Sequence, residues 1–488
     1  MKDLTEFQLP REGEVTLCEV DGQVHSLQYS CYRSYDVDAI TNTVKKHPKV
    51  HITRDILQHM TTGDDVRTFF VETEVPFLKK LIQTYFECGV LETLHVASTG
   101  NKFVISDLAR VVLKLLDATE YVKNKWKMSF VELEPHTPIV SPLRNVPFSN
   151  IKCISWHPHC LKIAVACSDD TVRIYYDNGS VGPILKYKQQ RNISCIEWRP
   201  LSFSEIAVGC DAGVYVWNVD PFVAITRPTI SNATLLHHEN HVPIVSLAWS
   251  PRGDLLATCS NLDSTVLVWN VEMNENSSLK RPGSTGNHIM KWCKSGAKLL
   301  ITACGPKFRV WDCLLWESEL WEINSGEIAA ACWSPCGSVL LFATSEEPFI
   351  YYLSSTRASA FNTKSTGPNE AIPIVDCSKI ERNGTIVGGL VKDMEWDPEG
   401  RHVAVLFQNT NYVAIFRTKV HPVLQIFASV FIAGAPEESP CLIQFQKNFK
   451  HGACLTVAWS SGRLQHFPIV YSVEFETTPN YSLSTSLF

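Results

Sequence analysis

The sequence predicts an all-β fold, a seven-bladed β-propeller with an N-terminal α-helical appendage. A tryptophan that ends an apolar run recurs at intervals of about 40–60 residues, and repeats of that length are typical of propellers and solenoids. Five of the seven repeats carry a Trp-x-Pro step, in which the proline starts a turn. Each repeat also ends in a short aromatic run such as VYVWN or FRVWD, which favours a strand.

The repeat is clearest in residues 241–270. An apolar run ends at Trp249 and is followed by the turn sequence Ser-Pro-Arg-Gly. A second run covers residues 255–259, and a β-branched run covers residues 264–269. Three short strands joined by tight turns make most of one antiparallel blade.

The aromatic positions that match Trp249 are expected on the innermost strand of each blade. The last of them is the weakest match, because it is a phenylalanine. The full set is Trp156, Trp198, Trp249, Trp292, Trp333, Trp396 and Phe445.

Composition restricts the functional classes. The chain has 488 residues and a net charge of −6, which argues against broad electrostatic binding to nucleic acid. Its 17 cysteines are an odd number, and the first ten residues lack the apolar stretch of a secretory signal, so we expect reduced thiols. The most apolar run, residues 423–435, is shorter than the roughly 20 residues that span a bilayer, and we expect a buried strand there.

Four segments are expected along the chain. Residues 1–40 form an irregular N-terminal segment, residues 41–135 a helical appendage, residues 136–476 the propeller and residues 477–488 a flexible tail. In the appendage, apolar residues recur at helical spacing in two stretches, 77–96 and 106–121.

A propeller needs a distant segment to complete its last blade, because an unpaired outer strand leaves an exposed edge. Residues 15–20 alternate like a strand and precede an Asp-Gly turn, and they are the preferred donor. Residues 129–133 and 473–475 are the alternatives.

No catalytic, cofactor or metal site is expected. Cysteines at equivalent strand ends (Cys167, Cys210, Cys259 and Cys304) would lie in different blades, and we interpret them as small core residues. The histidines lack paired cysteines at zinc-ligand spacing. His241, Thr258 or Ser260, Asp263 and Trp269 instead match a structural hydrogen-bond set that fixes one blade.

Candidate partner-binding residues are few. Residues 311–321, WDCLLWESELW, contain three tryptophans and are either an outer strand that packs on the next blade or a binding patch, since exposed aromatics mark interfaces. Trp316 and Trp321 are the candidates there. Arg191, in a small basic cluster, is a further candidate.

The repeats resemble the WD-repeat family, and within it the Aladin family of nucleoporins. The resemblance rests on SWHPHCLKIAVACSDDTVRIY (155–175), FRVWDCLLWESELW (308–321), FQKNFKHGACLTVAWSSGRLQHFPIVY (445–471) and GEVTLCE (13–19). It implies a peripheral, non-enzymatic scaffold of the nuclear pore complex. It also implies contact with other nucleoporins, an anchor in a transmembrane nucleoporin, a role in protein import and a role at the mitotic spindle.

That resemblance implies location at the nuclear envelope, with a cytoplasmic pool and spindle poles as further sites. Contact with the membrane would be indirect, and no nucleic acid, cofactor or small-molecule substrate is expected. The alternative is a substrate receptor or adaptor of a ubiquitin ligase. Such receptors usually carry Arg in a W-D-x-R step, whereas the steps here begin at Trp217, Trp269 and Trp311 and end in Asp220, Glu272 and Leu314.

Overall fold

The structure is a computed structural model. It describes residues 2–11, 13–31, 36–54, 56–57, 150–177, 181–219, 232–279, 286–324, 326–354, 371–382, 384–421 and 423–471. The chain divides into two units, Met1–Arg54 with Asn145–Phe488, and Asp55–Arg144. The predicted helices at 77–96 and 106–121, the alternative closing segments and the C-terminal tail lie outside the described residues.

The first unit is built from short strands that follow one another along the chain. The N-terminal elements are β1 (Glu14–Val20), β2 (Gln23–Gln28) and the helix α1 (Asp36–Thr41). Blade one contains β3 (Ile151–Trp156), β4 (Lys162–Cys167), β5 (Val172–Tyr176) and β6 (Val181–Leu185). Blade two contains β7 (Cys195–Trp198), β8 (Glu205–Cys210), β9 (Gly213–Asn218) and β10 (Ala233–Leu236). Blade three contains β11 (Ile244–Trp249), β12 (Leu255–Ser260), β13 (Val266–Asn270) and β14 (Glu275–Leu279).

The remaining blades repeat this pattern. Blade four contains β15 (Asn287–Trp292), β16 (Lys298–Ala303), β17 (Lys307–Asp312) and β18 (Glu317–Glu322). Blade five contains β19 (Ile328–Trp333), β20 (Val339–Thr344), β21 (Phe349–Ser354) and β22 (Ile372–Asp376), and a hairpin of β23 (Ile380–Arg382) and β24 (Thr385–Val387) follows it. Blade six contains β25 (Val391–Trp396), β26 (His402–Phe407), β27 (Tyr412–Lys419) and β28 (Gln425–Ala433). Blade seven contains β29 (Pro440–Phe445), β30 (Gly452–Trp459) and β31 (Leu464–Val470).

The blades close into a ring. Within each blade the strands pair in sequence order, from the first strand to the last. The first strands contact one another in the order β3, β7, β11, β15, β19, β25, β29 and back to β3. The prediction of a seven-bladed β-propeller is therefore confirmed.

Buried apolar side chains fill the space between neighbouring blades. One such cluster joins blades five and six, another joins six and seven, and four others join the successive neighbours from blade one to blade five. The second strand of each blade is buried on both faces, which explains the continuous apolar runs such as VLLFAT in β20. Stability therefore depends on contacts between neighbouring blades.

The N-terminal segment completes blade seven. Strand β1 pairs in parallel with β31, with Glu19 opposite Ile469 and Val20 opposite Val470, and β2 then pairs antiparallel with β1. Blade seven thus has five strands in the order β2, β1, β31, β30 and β29. The chain ends of the propeller are joined at this blade.

Residues 2–8, which precede β1 in the chain, lie along the outer edges of blades five and six. The Lys2 amide donates to the Ile374 carbonyl at 3.1 Å, and the Lys2 carbonyl accepts from the Asp376 amide at 2.7 Å. Leu4 and Phe7 are buried in the core between blades five and six. We call residues 2–8 the N-terminal strap.

A second segment, residues 44–54, contacts both the last and the first blade. The Val50 carbonyl accepts from the Leu464 amide at 2.9 Å, in blade seven. The Ile52 carbonyl accepts from Asn150 Nδ2 at 2.8 Å, at the start of blade one. Within the segment 41–135, for which helices are predicted, residues 42–53 form bends and turns in this position, and residues 58–135 lie outside the described part.

Candidate interaction surface

The seven aromatic positions each end the first, innermost strand of a blade. Four of the indoles donate to the preceding blade, always to the carbonyl of the residue just before that blade's own tryptophan. These bonds run from Trp198 to Ser155 (3.0 Å), from Trp249 to Glu197 (3.3 Å), from Trp292 to Ala248 (3.1 Å) and from Trp333 to Lys291 (3.0 Å). The repeated tryptophan therefore links neighbouring blades as well as filling the core.

The pattern changes at blades six, seven and one. Trp396 Nε1 donates within its own blade, to Thr418 Oγ1 at 3.1 Å. Phe445 has no indole, and its backbone amide donates instead to Glu395 Oε2 at 2.7 Å. Burial raises the pKa of Glu395 to about 7. The junction between blades six and seven therefore uses a bond to the Glu395 side chain, whereas the four junctions from blade one to blade five use an indole.

The junction between blades seven and one uses a hydroxyl. Trp156 Nε1 donates to Thr456 Oγ1 at 2.9 Å, and the Thr456 hydroxyl contacts His466 Nδ1 at 3.0 Å. His466 Nε2 lies 2.9 Å from the carbonyl of Pro48, to which it donates when Nδ1 accepts. Burial, with a contribution from His47, lowers the pKa of His466 to about 3, which keeps this imidazole neutral.

Blade three holds the hydrogen-bond set around His241. Trp269 Nε1 donates to Thr258 Oγ1 at 2.9 Å, Thr258 Oγ1 lies 3.1 Å from His241 Nε2, and His241 Nδ1 lies 3.1 Å from Asp263 Oδ2. A neutral imidazole protonated on Nδ1 satisfies both neighbours, and burial lowers the pKa of His241. Ser260 lies outside the chain of bonds and accepts from the Leu262 amide at 3.2 Å.

This set resembles a hydrolytic triad only in its residue types. The side chain of Thr258 is completely buried and receives the Trp269 indole proton. A substrate could not reach its oxygen. Partial burial pushes the pKa of Asp263 upward, but hydrogen bonds from Thr265 and His241 outweigh it and lower the pKa. The arrangement stabilises the turn between β12 and β13.

The candidate tryptophans of blade four are half-buried. Trp316 packs edge-on against Trp292, with 6.4 Å between ring centroids, and Trp321 stacks on Phe308 at 6.1 Å. The exposed apolar side chains of the same stretch are leucines: Leu314 is 78% exposed, Leu315 is 61% exposed and Leu320 is 52% exposed. Leu314 and Leu315 lie at a turn and Leu320 lies on an outer strand. These leucines were not named as candidates from the sequence, because the tryptophans of the same stretch were singled out.

Arg191 lies between blades one and two. Its side chain is exposed, and its Nε donates to the Lys188 carbonyl at 3.3 Å. The Arg191 carbonyl accepts from the Asp211 amide at 3.1 Å. Arg191 is on the opposite side of the ring from the Trp-x-Pro turns, because it precedes the first strand of its blade. The structure does not bring it together with Trp316 and Trp321.

One side of the ring carries most of the exposed large apolar side chains at turns. The first and third strands of a blade run in the same direction, so the turns that follow them share one side, which we call the turn face. The exposed apolar residues there are Leu201, Phe203, Met273, Leu314, Leu315 and Val423. Surface apolar residues concentrated on one side are typical of a protein-binding surface.

The turn face is held rigidly. Arg199 Nε donates to the Gly253 carbonyl of the next blade at 2.6 Å, and Arg199 also pairs with Glu205 at 2.6 Å and with Glu272 at 2.8 Å. A Cβ at Gly253 would lie 2.3 Å from the Pro200 carbonyl, so only glycine fits this approach. Neighbouring turns therefore keep fixed positions.

Neither the cysteines nor a metal site nor a membrane-spanning helix contributes to the candidate surface in the described part of the chain. Cys167, Cys210 and Cys259 are buried in three different blades. No group of three or more His, Cys, Asp or Glu side chains with metal-binding geometry occurs among the described residues. None of the helices in the described ranges is long and apolar enough to cross a membrane.

The closed ring of six four-stranded blades and one five-stranded blade, with indole bonds between blades and a Trp–Thr–His–Asp set in blade three, defines a β-propeller of the WD-repeat class. The chain belongs to the Aladin seven-bladed propeller family, whose model matches residues 137–470.

The chain is also similar to curated relatives, and a solved structure shares its fold. Aladin of Arabidopsis thaliana is 26% identical over 351 residues, which cover 66% of this chain and 76% of the relative. The protein transport protein SEC31 of Candida glabrata is 26% identical over 181 residues, but the match covers 35% of this chain and only 13% of that protein. A chain in a crystal structure of the mitotic checkpoint complex shares the fold, with a TM-score of 0.51, 15% identity and coverage of 67% of this chain and 90% of that one.

Proposed function

We propose that this chain is a non-enzymatic scaffold nucleoporin of the nuclear pore complex. The observation that carries the proposal is membership of the Aladin propeller family across residues 137–470. The rigid turn face supports it, because stable recognition needs a preformed surface of roughly 1,200 Å² or more and the interblade bonds hold neighbouring turns in register.

The proposal includes an anchor at the pore membrane. A transmembrane nucleoporin would hold the chain there through protein–protein contact, and the chain itself would touch the membrane only indirectly. Other nucleoporins are the further partners. The apolar side chains of the turn face, among them Leu201, Phe203 and Met273, are the contact residues that we assign to these interactions. Apolar residues of this kind contribute most when they are buried at the centre of an interface.

The cellular role is the part of the proposal that we infer from the family resemblance. The chain would support protein import through the pore, with a cytoplasmic pool outside it and a role at spindle poles in mitosis. The structural set of blade three and the ring tryptophans would serve this role by keeping the platform rigid rather than by catalysis.

Imaging of a tagged full-length chain tests the proposal. We expect enrichment at the nuclear rim and co-isolation of a transmembrane nucleoporin from detergent extracts. A variant with Leu201→Asp and Phe203→Asp should lose the rim signal while its thermal unfolding matches that of the unmodified chain. The matched control is Leu262→Asp, an exposed leucine on the opposite side of the ring, 67% exposed.

The experiment also separates the proposal from its alternative. A diffuse tagged chain that co-isolates with a ubiquitin ligase would contradict the scaffold role and support a substrate receptor. Retention of the rim signal by the Leu201→Asp, Phe203→Asp variant would leave the family role intact but would exclude this part of the turn face as the contact.

A further inference from the structure

The outer edges of the blades are protected in different ways. In blade one, β6 contains Pro183 and has an irregular register, and in blade two, β10 has only four residues. In blade five, β22 contains Pro373 and is covered by Lys2 of the N-terminal strap. In blade six Gln8 covers the edge, and in blade seven the outermost strand is β2, whose pairing with β1 has an irregular register. Proline, short length, irregular register and a covering segment are the usual means of blocking an open sheet edge.

Blade four lacks these protections in the described residues. Strand β18 pairs with β17 in an unbroken register of six residue pairs, from Lys307 opposite Glu322 to Asp312 opposite Glu317. Its sequence, ESELWE, contains no proline. No described residue pairs with its outer side. The strand of blade three in the same position, β14, is also regular, but its sequence ENSSL offers small polar side chains.

The ladder shows which backbone groups of β18 point outward. The Ile323 amide donates to the Pro306 carbonyl at 2.8 Å, in the same register as the six pairs. Hydrogen-bonded residues alternate along an antiparallel ladder, so Glu317, Glu319 and Trp321 direct their backbone groups toward β17. Ser318, Leu320 and Glu322 then direct theirs outward, where another strand could bind them.

The side chains of β18 combine acidic and apolar groups, and β17 places the basic Arg309 opposite Leu320 and the basic Lys307 opposite Glu322. Trp321 stacks on Phe308 in the core between blades four and five, so Glu317 and Glu319 share that face with it, with Asp312 opposite Glu317. Leu320 lies 52% exposed on the other face. The turn that leads into β18 adds Leu314 and Leu315, the exposed apolar residues described above.

We propose that the outer edge of β18 is a docking site for an extended, basic segment of another protein, which adds to blade four as a fifth strand. The outward backbone groups of Ser318, Leu320 and Glu322 would bind its main chain. Lysine or arginine side chains at alternate positions would face Glu317 and Glu319, and an apolar side chain would pack on Leu320. Main-chain bonds supply affinity in this mode of recognition, and alternate side chains supply specificity. The inference goes beyond the proposed function, because it names the chemistry of a partner and does not depend on where the chain acts in the cell.

A direct binding measurement tests the site. The probes are a six-residue peptide of alternating lysine and valine, its glutamate–valine counterpart, and the lysine peptide with N-methyl groups on the backbone amides that would face β18. Fluorescence anisotropy with the full-length chain should show saturable binding of the lysine peptide. The N-methylated and glutamate peptides should bind at least tenfold more weakly.

Two variants of the chain localise the site. Leu320→Pro removes an outward amide and leaves the ladder to β17 intact, because proline is tolerated where the amide faces away from the sheet. Ser278→Pro places the same change at the equivalent position of β14 and is the matched control. The double variant Glu317→Lys, Glu319→Lys reverses the charge without altering the backbone. We expect both β18 variants to lose at least tenfold in affinity, and Ser278→Pro to bind like the unmodified chain.

Several outcomes would overturn the proposal. Equal binding of the N-methylated peptide would mean that charge alone attracts the probe, and unchanged binding by Leu320→Pro with an unchanged unfolding temperature would place the contact elsewhere. If no peptide binds and the chain instead self-associates through an edge that Leu320→Pro disrupts, the occupant is a second copy and the basic partner is wrong. If Leu320→Pro fails to fold, the Glu317→Lys, Glu319→Lys variant decides: a loss of at least tenfold in affinity for the lysine peptide supports the site, and unchanged affinity overturns it.

Discussion

Trp156 donates its indole proton to Thr456 across 2.9 Å, and this bond joins the first blade to the last. The acceptor is a buried hydroxyl that in turn contacts His466, whereas four other ring tryptophans donate to a main-chain carbonyl of the preceding blade. The ring is therefore closed at this junction by side chains as well as by the N-terminal strand. A defect at this junction should affect the whole ring, because each blade is stabilised by its neighbours.

Replacing the closing indole should weaken the ring. Trp156→Phe removes the donor to Thr456 and leaves a cavity, and we expect it to lower the free energy of unfolding by about 1–3 kcal/mol. Chemical denaturation measures this loss. Trp316→Phe, at a half-buried surface tryptophan, is the control and should change stability by much less. Equal stability of the two variants would show that the Trp156 bond contributes nothing to closure.

The N-terminal strap should contribute to stability through Phe7. This ring packs against Phe416 at 4.9 Å and against Phe431 at 4.7 Å between centroids. Phe7→Ala should cost about 3–5 kcal/mol, the usual loss for a buried aromatic ring. Gln8→Ala, at an exposed neighbour, should cost little. An unfolding midpoint of Phe7→Ala equal to that of Gln8→Ala would mean that the strap is not held in solution.

The blade-three set should depend on Asp263. In Asp263→Ala the His241 imidazole loses its acceptor while it remains buried, which should lower the free energy of unfolding by about 1–3 kcal/mol. Asp211→Ala in blade two is the control, since no matching histidine exists there and Asp211 lies at an exposed turn. Thermal unfolding of both variants measures the difference, and identical midpoints would remove the structural role assigned to the set.

Acid should destabilise the propeller through its buried histidines. Burial lowers the pKa of His157 to about 4, whereas an unfolded histidine has a pKa of about 6.5. Above about pH 6.5 both states are neutral there, and stability is fully present. As the pH falls below that value only the unfolded state gains the proton, so stability falls by up to about 1.4 kcal/mol per pH unit for this histidine, until the folded pKa is reached.

The pH dependence of the unfolding midpoint between pH 7.5 and 4.5 tests this. His157→Asn should be less stable than the unmodified chain at neutral pH but should show a flatter decline with acid. His159→Asn, at the neighbouring histidine of the same turn, is the control and should keep the original slope. A His157→Asn slope as steep as that of the unmodified chain would contradict a neutral, buried His157.

The sequence was informative where local chemistry decides the structure. The Trp-x-Pro steps mark the ends of innermost strands because the apolar run and the turn are adjacent in the chain. The N-terminal strap could not be predicted in the same way. Leu4 and Phe7 stand in an irregular stretch without periodicity, and their partners, such as Phe416 and Phe431, are some 400 residues away.

The direction of strand β1 and the exposure of individual side chains could not be predicted from the sequence either. Alternation marks residues 15–20 as a strand, but nothing in it distinguishes parallel from antiparallel pairing, and β1 runs parallel to β31. In blade four, the three tryptophans of residues 311–321 made Trp316 and Trp321 the candidate partner-binding residues. Their rings pack on Trp292 and Phe308, however, and leave Leu314, Leu315 and Leu320 exposed. Exposure depends on neighbours in adjacent strands, which a linear pattern does not contain.

The central claim is that a ring closed by the N-terminal segment serves as a scaffold at the nuclear envelope. The most direct measurement is the rim-to-cytoplasm intensity ratio of the tagged chain with and without residues 1–30, at matched protein levels. The deletion removes β1, β2 and the N-terminal strap, so blade seven loses two of its five strands. We expect a clear rim for the full chain and loss of rim enrichment for the truncated one. A full chain without rim enrichment, or a truncated chain that keeps the full ratio, would contradict the claim.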